Sequence, residues 1–147
     1  MNKIKRKEII AELCSVNTEF NSAKKFLDNL LMIWIVTRIL FVLCCAITPV
    51  LKSSIAGNIG GLIIAVFFVS AIKANRTVAV LPILGGFLGL FQFLLLTPVK
   101  AATAYPLYSI SYLLVNIAQI LIMFIIIFNK QIKYYESAIK ESLSAGN

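Results

Sequence analysis

One arginine, Arg38, stands in an otherwise uncharged apolar run that reads Asn29 to Leu51. Counted from the start of that run it lies nine residues in, about 13 Å along a helix at about 1.5 Å per residue. At that depth in a bilayer a guanidinium costs from about 2.5 to more than about 10 kcal/mol unless it is turned inward and partnered. Its planar fork suits bidentate contact with a carboxylate or a phosphate. No Asp or Glu occurs between Asp28 and Glu136, so the same stretch of chain supplies no opposite charge. The partner must be a lipid phosphate, a bound anion, another protein, or a set of neutral acceptors.

Neutral acceptors occur at matching depth. Tyr105, Tyr108, Tyr112, Asn116 and Gln119 follow helical spacing and share one face of the last apolar run. Gln119 falls near the level of Arg38. Gln92 shares a face with Gly85 and Gly89 in the third run, and Trp34, Phe41, Cys45 and Thr48 line up with Arg38 in the first. A four-helix arrangement gathers Arg38, Gln92, Asn116 and Gln119 into one interior polar cluster. Two readings compete for it: an interhelical hydrogen-bond lock, or a site that meets an anion, a head group or a permeating species. Glycines at close-packing spacing, Gly57 with Gly61 and Gly85 with Gly89, are candidate helix-packing positions. Packing of Gly61 near Gly89 within a hairpin is the simpler expectation, and a homodimer seam the alternative.

Other chemistry lacks its groups. Histidine is absent, and the cysteines Cys14, Cys44 and Cys45 form no Cys-x-x-Cys pair, so zinc and thioredoxin-like sites have no ligand set. Without histidine or an intramembrane carboxylate, proteolytic acid–base machinery and carboxylate proton relays are missing. Phosphate-cradling glycine loops do not occur either. The expectation is a protein that is not an enzyme, with no catalytic residues, no metal and no cofactor.

The elements that position Arg38 follow from composition. Of 147 residues 60% are hydrophobic and 14% charged, with a mean hydropathy of +0.92. A water-soluble domain carries about 25% charge, so this excess of apolar residues calls for a membrane. Four runs reach or approach the roughly 20 residues needed to span it: 29–51, 55–72, 77–99 and 106–128. They are continuously apolar rather than alternating, which selects helices over a barrel. The expected fold is all-α: four transmembrane helices in an antiparallel bundle joined by short connections. The expected units are an amphipathic tail at 1–28, the membrane domain at 29–128 and a second helical tail at 129–147. The charged first 28 residues do not resemble a cleavable signal peptide.

Orientation follows from the basic residues. Both tails and the middle connection together hold eleven Lys and Arg, and the other two connections hold two. The richer side faces the cytoplasm, which puts both termini inside and the protein in the cell membrane as a multi-pass chain. The net charge of +8 is spent on that orientation, so nucleic acid is not an expected partner. In the first tail Ile9, Leu13, Val16, Phe20, Ala23, Leu27, Leu30 and Trp34 form a 3.5-residue stripe running into the first span. Phe128, Ile132, Tyr135, Ile139 and Leu143 form a similar stripe in the second. Each stripe is expected to rest on the membrane surface or the other tail, with a separate coiled-coil partner as the sharper alternative. Thr48-Pro49-Val50 and Thr97-Pro98-Val99 end the first and third runs alike, as expected of helix ends at an interface.

Two functional expectations remain. The first is a small interaction protein of the membrane, an accessory, assembly, regulatory or immunity-type subunit bound to lipid and to another membrane protein or to itself. The second is an oligomeric channel or transporter for an anionic or lipid-linked substrate that uses Arg38.

Overall fold

The computed structural model describes residues 3–47, 52–96 and 104–145. Among these the chain forms helices and no strands. The order is α1 (Lys3–Val16), α2 (Thr18–Ile47), α3 (Lys52–Ala74), a 3₁₀ turn (Arg76–Ala79), α4 (Val80–Leu96), α5 (Pro106–Phe128) and α6 (Lys130–Ala145). Four helices among the described residues are long and apolar enough to cross a membrane. The Thr-Pro boundaries at 48–50 and 97–99, and with them Thr48 on the Arg38 face, lie outside the described residues.

Three asparagines punctuate the helices. Asn17 separates α1 from α2, and its Oδ1 accepts the Phe20 amide at 3.0 Å. Asn75 accepts the Thr77 amide at 3.0 Å and the Thr77 hydroxyl at 2.7 Å, opening the 3₁₀ turn. Asn129 accepts the Gln131 amide at 2.8 Å at the start of α6. Each side-chain oxygen takes up an amide that the first helical turn leaves without an intrahelical partner. The break at Asn17 interrupts the long apolar stripe. Val16 is 81% exposed, whereas Phe20, Ala23, Leu27, Leu30 and Trp34 downstream of it are buried. α2 then continues for 30 residues, about ten more than a bilayer needs, so the helix of the first span also forms part of the tail structure.

The two tails pack on each other and on the start of α2. Phe20 stacks on Tyr135 with ring centroids 5.0 Å apart, and Ile132 and Ile139 join the same buried cluster with Ile10 and Leu13 against it. Phe128 is 72% exposed and is not part of it. Burial pushes the Tyr135 phenol pKa above its usual value, and the nearby Arg6 charge opposes that rise. Ion pairs tie this end together. Asp28 meets Lys24 at 2.9 Å and Lys73 at 2.6 Å, and Glu136 meets Arg76 at 3.0 Å and Lys140 at 2.7 Å. Arg76 also donates to the Ile127 carbonyl near the end of α5, where a cation is favoured by the helix dipole.

The apolar helices form an open arc in the order α3, α2, α5, α4. α2 packs against α3 and α5, and α5 packs against α4. α5 is the central element: 39% of its most apolar stretch is buried, against 11% for α3. α3 and α4, though consecutive, form no extensive interface among the described residues, and the 3₁₀ turn between them packs on both. The expected Gly61–Gly89 contact is therefore not formed. The reason lies in the small-residue faces. α4 turns Pro82, Gly86, Gly89 and Phe93 toward α5, and a Cβ on Gly86 would stand 2.7 Å from Ile120 Cγ1. One on Gly89 would stand 2.5 Å from Asn116 Oδ1. Among the described residues nothing lies within 4 Å of where a Cβ would sit on Gly57, Gly60 or Gly61.

Candidate functional site

Gln119 is the organising residue. It is 3% exposed on the central helix α5, where its side chain reaches both neighbours. Its Oε1 accepts from Trp34 Nε1 at 3.0 Å and from Arg38 Nη2, both on α2. Its Nε2 donates to the Pro82 carbonyl on α4 at 2.6 Å. Trp34 and Arg38 are four residues apart and so project from one face of α2 toward the same acceptor. Pro82 sits in the first turn of α4, a position that tolerates the missing N–H. One amide thus links three helices.

The chemistry of this arrangement is unbalanced. An amide oxygen has two lone pairs, and Trp34 and Arg38 each direct a donor to it. Arg38 Nε is buried with no hydrogen-bond partner among the described residues. The guanidinium thus meets a neutral acceptor and no carboxylate.

Of the other proposed cluster members, Asn116 is buried but donates to the Tyr112 carbonyl of its own helix at 2.8 Å and packs against Gly89. Gln92 is exposed and does not join the group. The buried face of α4 runs through Gly89 and Phe93, and Gln92 lies one residue, about 100°, off that line. Gly85 borders the site, with Gln119 Nε2 at 3.7 Å from the position of a Cβ. Trp34 and the Pro82 carbonyl, which complete the Gln119 bonds, were not legible as partners from the sequence. The available signals were the four-residue spacing of Trp34 and Arg38 and the small-residue face beginning at Pro82.

Beyond Arg38 the gap between α3 and α4 forms a cleft of about 200 Å³. Arg38, Trp34 and Gln119 line its floor, Gly61, Ala65 and Phe68 one wall, and Leu81, Pro82 and Gly85 the other. The walls are apolar and glycine-rich, and the floor carries the charge. Further along the same faces of α2 and α5, Phe41 contacts Tyr108 and Tyr112 at centroid distances of 5.8 and 5.7 Å in a second packed layer with Cys45 and Val115. Among the described residues no three His, Cys, Asp or Glu side chains converge as metal ligands would.

Fold and site together define an all-helical chain with four membrane-length apolar helices and an arginine at the floor of a side-opening cleft. No family model, curated protein or solved structure matches the chain.

Proposed function

We propose that this protein is a non-enzymatic, multi-pass subunit of the cell membrane that works by binding another membrane protein. Its helices run antiparallel, and both termini lie in the cytoplasm. The orientation rests on the eleven-to-two division of basic residues. It is supported by the packing of both tails and the α3–α4 turn at one end of the bundle.

The observation that carries the functional reading is the unfilled place in the arc. Among the described residues α3 and α4 form no extensive interface, and the glycine face of α3 meets nothing. In lipid, helices associate through close backbone approach at small residues and through polar contacts. A chain that leaves both kinds of group open at one seam is suited to receive a further helix there.

The test is purification in mild detergent from the native membrane, with a photo-crosslinking residue at Ile64 on the cleft wall. A stable complex with a different membrane protein, crosslinked through position 64, is the expected result. A symmetric homo-oligomer with Arg38 facing a water-filled axis would replace this reading with the transport one. Reporters fused after Ala74 and Asn147 should read cytoplasmic, and one inserted at Ser54 external. The opposite result at Ala74 would overturn the four-span topology.

A further inference from the structure

We propose, resting on the interaction reading, that the α3–α4 cleft receives a transmembrane helix of a different protein bearing an aspartate or glutamate at mid-span, whose carboxylate pairs with Arg38. Charge decides the class of occupant. Among the described residues the buried Nε of Arg38 has no hydrogen-bond partner, and its guanidinium donates to a neutral amide oxygen. A carboxylate and a guanidinium are each expensive alone in the bilayer, and each removes much of the other's cost when they meet. A second copy of this chain cannot play that part, because residues 29–135 contain no acid. It would bring another arginine into the same layer.

Shape and depth narrow the choice further. The cleft, about 200 Å³, admits one or two side chains but not a helix, so the helix lies across the mouth and inserts its acidic side chain. Gly57, Gly60 and Gly61, with nothing among the described residues within 4 Å of a Cβ, allow its backbone to come close. A small hydrated anion is a poor occupant, because Ile64, Phe68 and Leu81 would strip its water and offer no donors in return. A phospholipid head group lies at the interface, about 13 Å away along the helix.

The test uses the full-length protein in phosphatidylcholine vesicles and a synthetic Leu/Ala peptide of about 20 residues. The peptide has Lys flanks, one central Glu and a dansyl group one turn away. Trp34 is the single tryptophan and lines the cleft, so energy transfer from it reports occupancy. The Glu peptide should bind at least about tenfold more tightly than its Gln counterpart. Arg38→Gln should abolish that preference, and Arg38→Lys should keep part of it. Gly61→Leu, which fills part of the cleft, should weaken both peptides. Equal binding of Glu and Gln peptides, or a Glu preference that survives Arg38→Gln, overturns the proposal. Displacement of the Glu peptide by palmitate at equal concentration, with the same dependence on Arg38, would assign the cleft to a lipid carboxylate and also overturn it. A native heteromeric complex that is indifferent to Arg38 would leave the interaction reading standing and remove this site. A protein that purifies alone yet prefers the Glu peptide through Arg38 would do the reverse.

Discussion

Replacing Gly86 by alanine should separate the two glycine faces that look alike on paper. The new Cβ would lie 2.7 Å from Ile120 Cγ1 and 3.2 Å from the Asn116 carbonyl oxygen. Carbon atoms rest about 3.5–4.0 Å apart, so the overlap with Ile120 is about 1 Å. Ile120 is buried and has little room to turn, and the carbonyl belongs to the α5 backbone. α4 must therefore move outward, at a cost of about 1–3 kcal/mol. At about 2–4 °C per kcal/mol for a chain of this size, a middle value of about 2 kcal/mol lowers the melting temperature by about 4–8 °C. Gly89→Ala should cost less. Its close neighbour is the Asn116 side-chain amide, which can swing away at the loss of one hydrogen bond, about 0.6 kcal/mol. Gly61→Ala meets nothing among the described residues within 4 Å and should stay within about 0.5 kcal/mol of the parent. The assay is thermal unfolding of all three variants in one detergent, followed by the monodisperse fraction remaining after heating. If Gly86→Ala melts with the parent, or Gly61→Ala falls as far as Gly86→Ala, the assignment of the α4 face to packing and the α3 face to open space is wrong.

Three further outcomes are expected. Gln119→Leu strips partners from Trp34, Arg38 and the Pro82 carbonyl and should cost about 2 kcal/mol at about 0.6 per bond. The indole of Trp34 should emit further to the blue, and unchanged emission would contradict its bond to Gln119. Arg76→Gln severs the link to Glu136 and the Ile127 carbonyl. Amides of α6 should then exchange at least several-fold faster in deuterium while those of α4 hold, and equal acceleration in both would show that Arg76 does not specifically anchor the tail. Asn17→Ala removes the acceptor of the Phe20 amide and should cost about 1 kcal/mol, with faster exchange in the first turn of α2; retention of Phe20 protection would argue against the cap.

Much of the architecture was legible because it rests on local properties of the chain. Long uninterrupted apolar runs can satisfy their backbone in lipid only as helices, which is why the four membrane-length helices were readable from residue type alone. The buried stripes from Phe20 to Trp34 and from Ile132 to Ile139 were readable because helical spacing places such residues on one face. The cost of burying a charge singled out Arg38 before any neighbour was known. The asparagine breaks were also present in the sequence, Asn75 and Asn129 beside apolar runs and Asn17 within the first tail, but a capping residue resembles any other polar residue until the helix bounds are fixed.

What only the tertiary structure decided is which faces meet. Gly57/Gly61 and Gly85/Gly89 carry the same spacing, and only packing shows that Gly89 and its neighbour Gly86 meet α5 while Gly61 borders an open cleft. Gln92 and Gln119 have the same side chain, yet a rotation of about 100° per residue leaves Gln92 exposed and carries Gln119 into the centre of three helices. Small residues and amides specify that a close or polar contact can form, not with whom. That choice depends on the rotation and order of whole helices, α3–α2–α5–α4, which no single segment encodes and which the packing of all four settles together.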